Sequence, residues 1–407
     1  MPKSRSRHGA KPEVSPGRAT LAAACASLVG IGLARFAYAP LLPAIIGAHW
    51  FAPSAAAYLG AANLVGYLAG ALLTRPMASR LPAPALLRGF MLLASIAFFA
   101  CSVPVSLVWF FVWRLLSGIA GGGLMVLAAP TVLPWIPQSR RGVASGVIFA
   151  GIGIGIAASG TIVPLLLQQN LALAWDGLGL LALVLTAVAW RGWPARSAPA
   201  PTLAARAKIP AHSPLPTTRL RALYVQYALN AAGLVPHMLF LVDYVARGLG
   251  QGLDSGAQYW VLFGLGAIIG PVLTGHLADR TGFGPALRLA FFIQAGAVIL
   301  PALGTGTAGL ILSSLVMGAF TPGIVPLVLG RVHELLAHHP SAQKQAWSTA
   351  TTAFALLQAG GAYGLTYLLT ATGGDYRLLF VIGACAFALG LGIDLVVGVS
   401  LSRRRFA

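Results

Sequence analysis

Apolar residues along this chain fall into long blocks rather than into the short alternations of a soluble core. A helix needs about 20 mainly apolar residues to cross a bilayer. Reading the blocks against Pro, Gly and charged punctuation predicts twelve such spans, at 19–46, 53–74, 84–104, 106–134, 141–167, 172–193, 220–247, 256–278, 285–304, 307–330, 344–371 and 375–399. The narrowest division lies near Ser106, where Cys101-Ser102-Val103-Pro104 separates two long runs. The pattern predicts an all-α polytopic membrane protein of twelve transmembrane helices in two six-helix bundles. The parts are a basic tail (1–18), a first bundle (19–193), a Pro- and Arg-rich linker (194–219), a second bundle (220–399) and a short basic tail (400–407).

Charge fixes the orientation. Of 27 Lys and Arg, 23 fall in segments that lie on one side when the N-terminus is placed in the cytoplasm. Only Arg247 and Arg377 fall on the other side, and Arg35 and Arg114 lie inside spans. That is the positive-inside bias, and it predicts cytoplasmic N- and C-termini. The first apolar run is too long for the apolar region of a cleavable signal peptide, so residues 1–18 are expected to be an uncleaved tail.

Composition removes other classes. Hydrophobic residues are 57% and charged residues 9% of the 407, whereas soluble domains carry about 25% charged residues. The net charge of +19 sits in short clusters between apolar runs, which argues against a nucleic-acid partner. Cys25, Cys101 and Cys385 are isolated, and no CxxC occurs. His333-Glu334 and His338 form HExxxH, which places the two histidines on different faces of a helix, so no metal site is expected. No GxxxxGK[ST] and no GxSxG are present. The reading is therefore of no cofactor and no enzyme.

An internal repeat supports two related halves. At an offset of 200, Gly66, Gly70, Leu73, Thr74, Ala78, Arg80, Leu87 and Arg88 coincide with Gly266, Gly270, Leu273, Thr274, Ala278, Arg280, Leu287 and Arg288. Six spans separate the copies, so both keep one orientation. Such parallel repeats place a binding site between the halves near the bilayer midplane.

Three segments resemble the major facilitator superfamily. Gly275-His-Leu-Ala-Asp279-Arg280-Thr-Gly282 is similar to that family's signature between helices 8 and 9, with Ser79 standing for Asp279 in the first-half copy. Arg114-Leu-Leu-Ser-Gly118-Ile-Ala-Gly-Gly122 resembles its RxxxGxxxG motif, and Gly30-Ile-Gly-Leu-Ala-Arg35-Phe36-Ala-Tyr38 resembles the YbfB/YjiJ-like branch. The fifth span has Gly146, Gly151, Gly155 and Gly160 but no Gly-Pro pair, which departs from the drug/proton antiporter pattern. The resemblance implies secondary transport by alternating access in a bacterial cytoplasmic membrane, by a monomer, of a small solute coupled to protons or a counter-solute.

Arg35, 16 residues into the first span, sits about 24 Å along the helix axis. An arginine at mid-depth costs at least about 2.5–3.5 kcal/mol, and the only first-half carboxylates, Glu13 and Asp176, lie at the edges of the spans. Arg35 is thus a candidate site for an anionic solute; the competing reading is a bond to helix carbonyls or to a second-half carboxylate. His237 lies at matching depth in the seventh span and is expected to face the same cleft, as substrate contact or proton coupler; the bland reading is a structural histidine beside Pro236. Tyr38 and Asn230 are further substrate-contact candidates. Arg114, by resemblance, and Asp243, as an acid inside a span, are coupling candidates. Gly275, Asp279, Arg280 and Gly282 are expected to gate in a loop at the inner ends of spans 8 and 9, and Gly118, Gly122, Gly151, Gly155, Gly360 and Gly364 to serve helix packing. Rival functions are proton-driven efflux of a neutral or cationic toxic compound, and a transporter-like membrane sensor.

Overall fold

A computed structural model describes residues 14–137, 140–194 and 216–406. They form twelve helical rods and, among the described residues, no strand. In chain order these are α1 (Pro16–Gly47), α2 (Pro53–Ala78), α3 (Ala83–Ala100), α4 (Leu107–Trp135), α5 (Arg141–Leu167) and α6 (Leu171–Ala189). The second half supplies α7 (Thr217–Gly248), α8 (Gly252–Thr281), α9 (Phe283–Ile299), α10 (Gly306–Leu335), α11 (Pro340–Ala371) and α12 (Tyr376–Phe406). Ten of them are long and apolar enough to cross a membrane; α9 is shorter and apolar, and α11 opens on the polar stretch that begins at Pro340. Large apolar side chains such as Val108, Phe292, Leu356 and Val396 stand exposed on the outside. This is the surface of a multi-pass membrane protein.

Local chemistry sets the helix ends. Ser106 accepts from the Trp109 backbone N–H at 3.1 Å and starts α4, which explains the close division from α3. Asn170 likewise accepts from the Leu173 N–H at 2.7 Å and starts α6. The bulk of the expected linker (195–215) and of the N-terminal tail (1–13) lies outside the described residues. At the other end α12 continues to Phe406, past the expected boundary at 399.

The helices sort by packing into two sets with one plan. In the first, α2 lies on α4, α3 on α4 and α6, and α1 on α5 and α6; in the second, α8 lies on α10, α9 on α10 and α12, and α7 on α11 and α12. Each pairing reappears six helices later. The glycine contacts repeat at the same offset as the sequence. A methyl group on Gly66 would overlap the Leu115 backbone, and one on Gly266 the Leu315 backbone. Gly70 against Ile119 matches Gly270 against Ala319, and Gly118 against Asn63 matches Gly318 against Phe263. Glycine is thus required where two helix backbones touch. Gly122, Gly151 and Gly155 are in such contacts too, but Gly360 and Gly364 face open space, contrary to expectation; on α11 it is Gly361 that meets α7, at Ala232.

The two sets meet along α5 with α8 and α2 with α11. Gly153 abuts Ala267 and Ile268, Gly264 abuts Ala157, and Gly160 abuts Ala257 and Val261. Trp260 donates its indole N–H to Ser159 Oγ at 3.2 Å across this seam. Tyr58 and Tyr363 join α2 to α11, with ring centroids 5.7 Å apart. These contacts run from mid-helix to the end where α1 finishes and α2 begins. Toward the opposite ends of the same helices, Gly146 on α5 and Gly275 on α8 have no neighbour within 4 Å of an added Cβ.

Candidate functional site

The site is built around a break in α1. Its first segment (Pro16–Ser27) is α-helical, Leu28–Leu33 is a π-helix, residues 34–37 form turns, and the α-helix resumes at Tyr38. Pro40 and Pro43 come next, and as residues without an N–H they remove ladder donors just beyond the break. π segments of this kind are frequent at functional sites.

The break frees the Ala34 carbonyl, which collects three side-chain donors. Arg114 Nη1 reaches it at 3.1 Å, Asn63 Nδ2 at 3.3 Å and Ser117 Oγ at 3.4 Å. Asn63 Nδ2 is also 3.2 Å from the Arg114 carbonyl, tying α2 to α4. The Arg114 guanidinium lies 4.4 Å from the Tyr38 ring centroid, and Tyr38 donates its hydroxyl to the Ala56 carbonyl at 2.5 Å. Arg114 and Tyr38 therefore brace the broken helix within the first set. Among the described residues Arg114 meets no carboxylate, and its Nε and Nη2 have no partner.

Arg35 projects toward the second set instead. Its Nη2 is 3.2 Å from Met238 Sδ on α7, and its guanidinium lies 4.8 Å from the Tyr67 ring centroid and 5.3 Å from that of Phe36. Tyr227 on α7 is within electrostatic range of the same charge. Arg35 is half-buried, its Nε has no partner, and no carboxylate pairs with it among the described residues. A thioether sulfur is a weak acceptor, so the cation holds less hydrogen bonding than it can make. Gln358 on α11 donates to the same sulfur at 3.6 Å, and its own Oε1 is unpartnered. One guanidinium, one amide and the rings of Tyr67, Phe36 and Tyr227 thus meet between the two sets. Sequence reasoning finds Arg35 by its depth and misses Met238, Gln358, Tyr67 and Tyr227, none of which stands out as charged.

His237 is not beside Arg35, contrary to the expectation from matching depth. It is 0% exposed and points into the second set, with Nε2 2.7 Å from Ser313 Oγ and its ring against Phe380. Ser313 donates its single proton to the Ala297 carbonyl at 2.6 Å. His237 Nε2 must therefore be the N–H donor, and Nδ1, which has no partner, is the bare nitrogen. Its neighbour Met238 meets Arg35 instead, and both residues lie within the π segment Pro236–Phe240. Asn230 is likewise turned inward, donating to Gln294 Oε1 at 3.1 Å.

Asp243 is held near the C-terminal end of α7 by the Tyr376 hydroxyl at 2.5 Å and by Arg247 at 3.3 Å. The signature at Gly275–Gly282 is helix rather than the expected loop. Gly275, Asp279 and Arg280 ride on the last turns of α8, and only Gly282, at φ +82°, makes the turn. Asp279 and Arg280 are exposed and form no ion pair among the described residues. No group of three or more metal-ligating side chains occurs among those residues either.

This architecture has solved counterparts. A D-xylose–proton symporter matches with a TM-score of 0.68 and 15% identity, covering 93% of this chain and 97% of that one. A bacterial homologue of the human lysosomal transporter Spinster, inward-facing and occupied, matches at 0.66 and 14%, covering 96% and 98%. The partially occluded, inward-open xylose transporter XylE of E. coli matches at 0.66 and 16%, covering 92% and 96%. At these identities the likeness is one of fold. In sequence, a gallate transporter of Pseudomonas putida is 27% identical over 316 residues, 65% of this chain and 69% of that protein. The family model described as "Uncharacterised MFS-type transporter YbfB" matches residues 27–395. The chain therefore belongs to the YbfB-type family of the major facilitator superfamily, a family of transporters and not of enzymes.

Proposed function

We propose that this protein is a secondary transporter that carries a small organic anion, of the aromatic carboxylate class, across the bacterial cytoplasmic membrane. The observation that carries this reading is Arg35: a mid-span cation whose only acceptor among the described residues is a thioether sulfur, with a free Nε and no carboxylate. A substrate carboxylate replaces Met238 as its partner, forming the bidentate, charge-assisted pair that guanidinium favours. Gln358 Oε1 accepts from a substrate hydroxyl, and Tyr67, Phe36 and Tyr227 supply ring faces. The name of the gallate-transporting relative supports the substrate class.

In this reading all twelve rods span the membrane, α9 and α11 included, with both termini cytoplasmic and with 19–193 and 220–399 as the two moving domains. The sealed ends of α2, α5, α8 and α11 then face outward, and the site opens to the cytoplasm. Asp279 and Arg280 engage only when that mouth closes, which accords with their exposure here. Proton coupling is assigned to the buried titratable groups His237 and Asp243, working through the packing of α7, and Arg114 links their state to the break in α1. The chain works as a monomer.

Thermal unfolding of the purified protein with benzoate-type acids, gallate among them, against aliphatic acids tests the substrate. Aromatic carboxylates are expected to stabilise the wild type and to lose that effect in Arg35→Ala. Equal stabilisation of wild type and variant removes Arg35 from the site. For coupling, His237→Gln is expected to abolish transport driven by a pH gradient while binding persists; gradient dependence that survives excludes the residue.

A further inference from the structure

A second polar cavity lies well away from Arg35, at the inner ends of α7, α9, α10 and α12. Its volume is about 300 Å³, at the small end of the ~300–1,000 Å³ typical of ligand sites. Three arginines from three helices line it: Arg219 of α7, Arg288 of α9 and Arg331 of α10, with a single acid, Asp394 of α12. Arg288 Nε is paired with Asp394 at 2.5 Å, and Arg331 Nη1 with the neighbouring Glu334 at 2.6 Å. Arg219 forms no ion pair among the described residues. The local balance is therefore one cation in excess.

Two glycines shape the walls. An added Cβ on Gly284 would come within 3.1 Å of Arg331 Nη1, and one on Gly398 within 3.2 Å of Arg288 Nη2. Both guanidinium groups thus lie directly against helix backbone, which holds their planes in place. Gly284 also belongs to the first turn of α9, a 17-residue helix whose unsatisfied N–H groups add positive potential there. Leu395 in the cavity wall and Val396 beside it are exposed apolar side chains. The cavity therefore borders the surface that faces lipid.

We infer that this cavity binds a phosphate-bearing anion at the membrane–water boundary, either the headgroup of an anionic phospholipid or free phosphate. Arg219 supplies the uncommitted charge, and Arg331 and Arg288 present their remaining N–H groups to the phosphate from their glycine seats. Basic pockets between helices on the cytoplasmic side suit such headgroups. Asp394 competes with the ligand for Arg288, so it sets the affinity. The inference does not involve Arg35 and stands or falls apart from the transport reading.

Delipidated full-length protein in neutral detergent, titrated by thermal unfolding, provides the test. The three titrants are short-chain phosphatidylglycerol, short-chain phosphatidylcholine and inorganic phosphate. Phosphatidylglycerol is expected to raise the melting temperature saturably, and phosphatidylcholine not to. Arg219→Ala weakens the titration midpoint by about tenfold, in line with loss of a charged hydrogen bond, whereas Arg221→Ala, on the exposed side of α7, leaves it unchanged. Asp394→Asn moves it the opposite way, which a merely structural role would not produce. A matching response to inorganic phosphate identifies the free anion as ligand; a response to phosphatidylglycerol alone identifies the lipid. Equal effects of the two lipids without a phosphate response, no response to either anion, or equal losses in Arg219→Ala and Arg221→Ala overturn the inference.

Discussion

Two arginines that look alike in sequence do different work. Arg114 bonds to the Ala34 carbonyl that the α1 break exposes, while Arg35 reaches across to a sulfur. Asn63 shares that carbonyl and also reaches the Arg114 carbonyl; because Arg114 and Ser117 still serve Ala34 in Asn63→Ala, the expected cost is that of ordinary hydrogen bonds, about 0.5–1.5 kcal/mol, read as a lower melting temperature with substrate specificity retained. Met238→Leu keeps volume and removes the sulfur; its stability cost should stay under about 1.5 kcal/mol. Anion affinity in that variant should rise or hold, since the substrate no longer displaces an acceptor, and a tenfold loss of affinity would show that Met238 itself contacts the solute. Arg35 is legible in the sequence because depth alone makes a mid-span cation expensive. The place of His237 is not, for a reason no span count reveals. His237 and Met238 both lie in a π segment, where the 3.6-residue period behind the depth argument does not hold, and Met238 is the one that meets Arg35.

Helix existence is readable from apolar run length, and the expected span 141–167 coincides with α5. The ends depend on chemistry that the runs do not carry. The Gly275–Gly282 signature reads as a loop because it is polar, yet every residue before Gly282 accepts right-handed helical geometry, and only a left-handed glycine stops α8. Which glycines touch a neighbour is also only half legible. Gly66, Gly70 and Gly118 and their counterparts Gly266, Gly270 and Gly318 do, whereas Gly360, which repeats the packed Gly160 at the same offset, and Gly364 do not. Gly66→Leu is accordingly expected to abolish stable expression, because Leu115 backbone occupies the space. Gly360→Ala should leave stability unchanged or raise it by up to about 1 kcal/mol through helix propensity. Fluorescence size-exclusion profiles of the two variants check both, and similar profiles would contradict the packing argument.

The whole molecule is two copies of one packing plan, and the repeat at an offset of 200 is as plain in the contacts as in the letters. The chemistry is not duplicated. Arg114, Asn63 and Tyr67 of the first set stand where Ser314, Phe263 and Ala267 stand in the second, so the buried guanidinium that braces α1 has no counterpart at the matching position of the second set. A thiol cross-link between cysteines at positions 58 and 363, after Cys385→Ser removes the exposed native thiol, is expected to hold these ends of α2 and α11 together. Uptake into vesicles should stop and return on reduction of a cleavable linker; uninterrupted transport would show that these ends need not part.

At Gly153, Ala157, Gly160 and Gly264 the α5–α8 seam brings main chain close to main chain, with the side chains of Val261 and Ile268 beside it. Interlocked side chains resist shear, because a rotamer must jump before the surfaces can slip. Where glycine brings the rods together there is less of this kind to unlock, so α8 is expected to shift on α5 at low cost. Such a joint carries load without choosing a resting angle, and the preference for one posture over another then has to come from the few polar fastenings around it, Ser159 with Trp260 foremost.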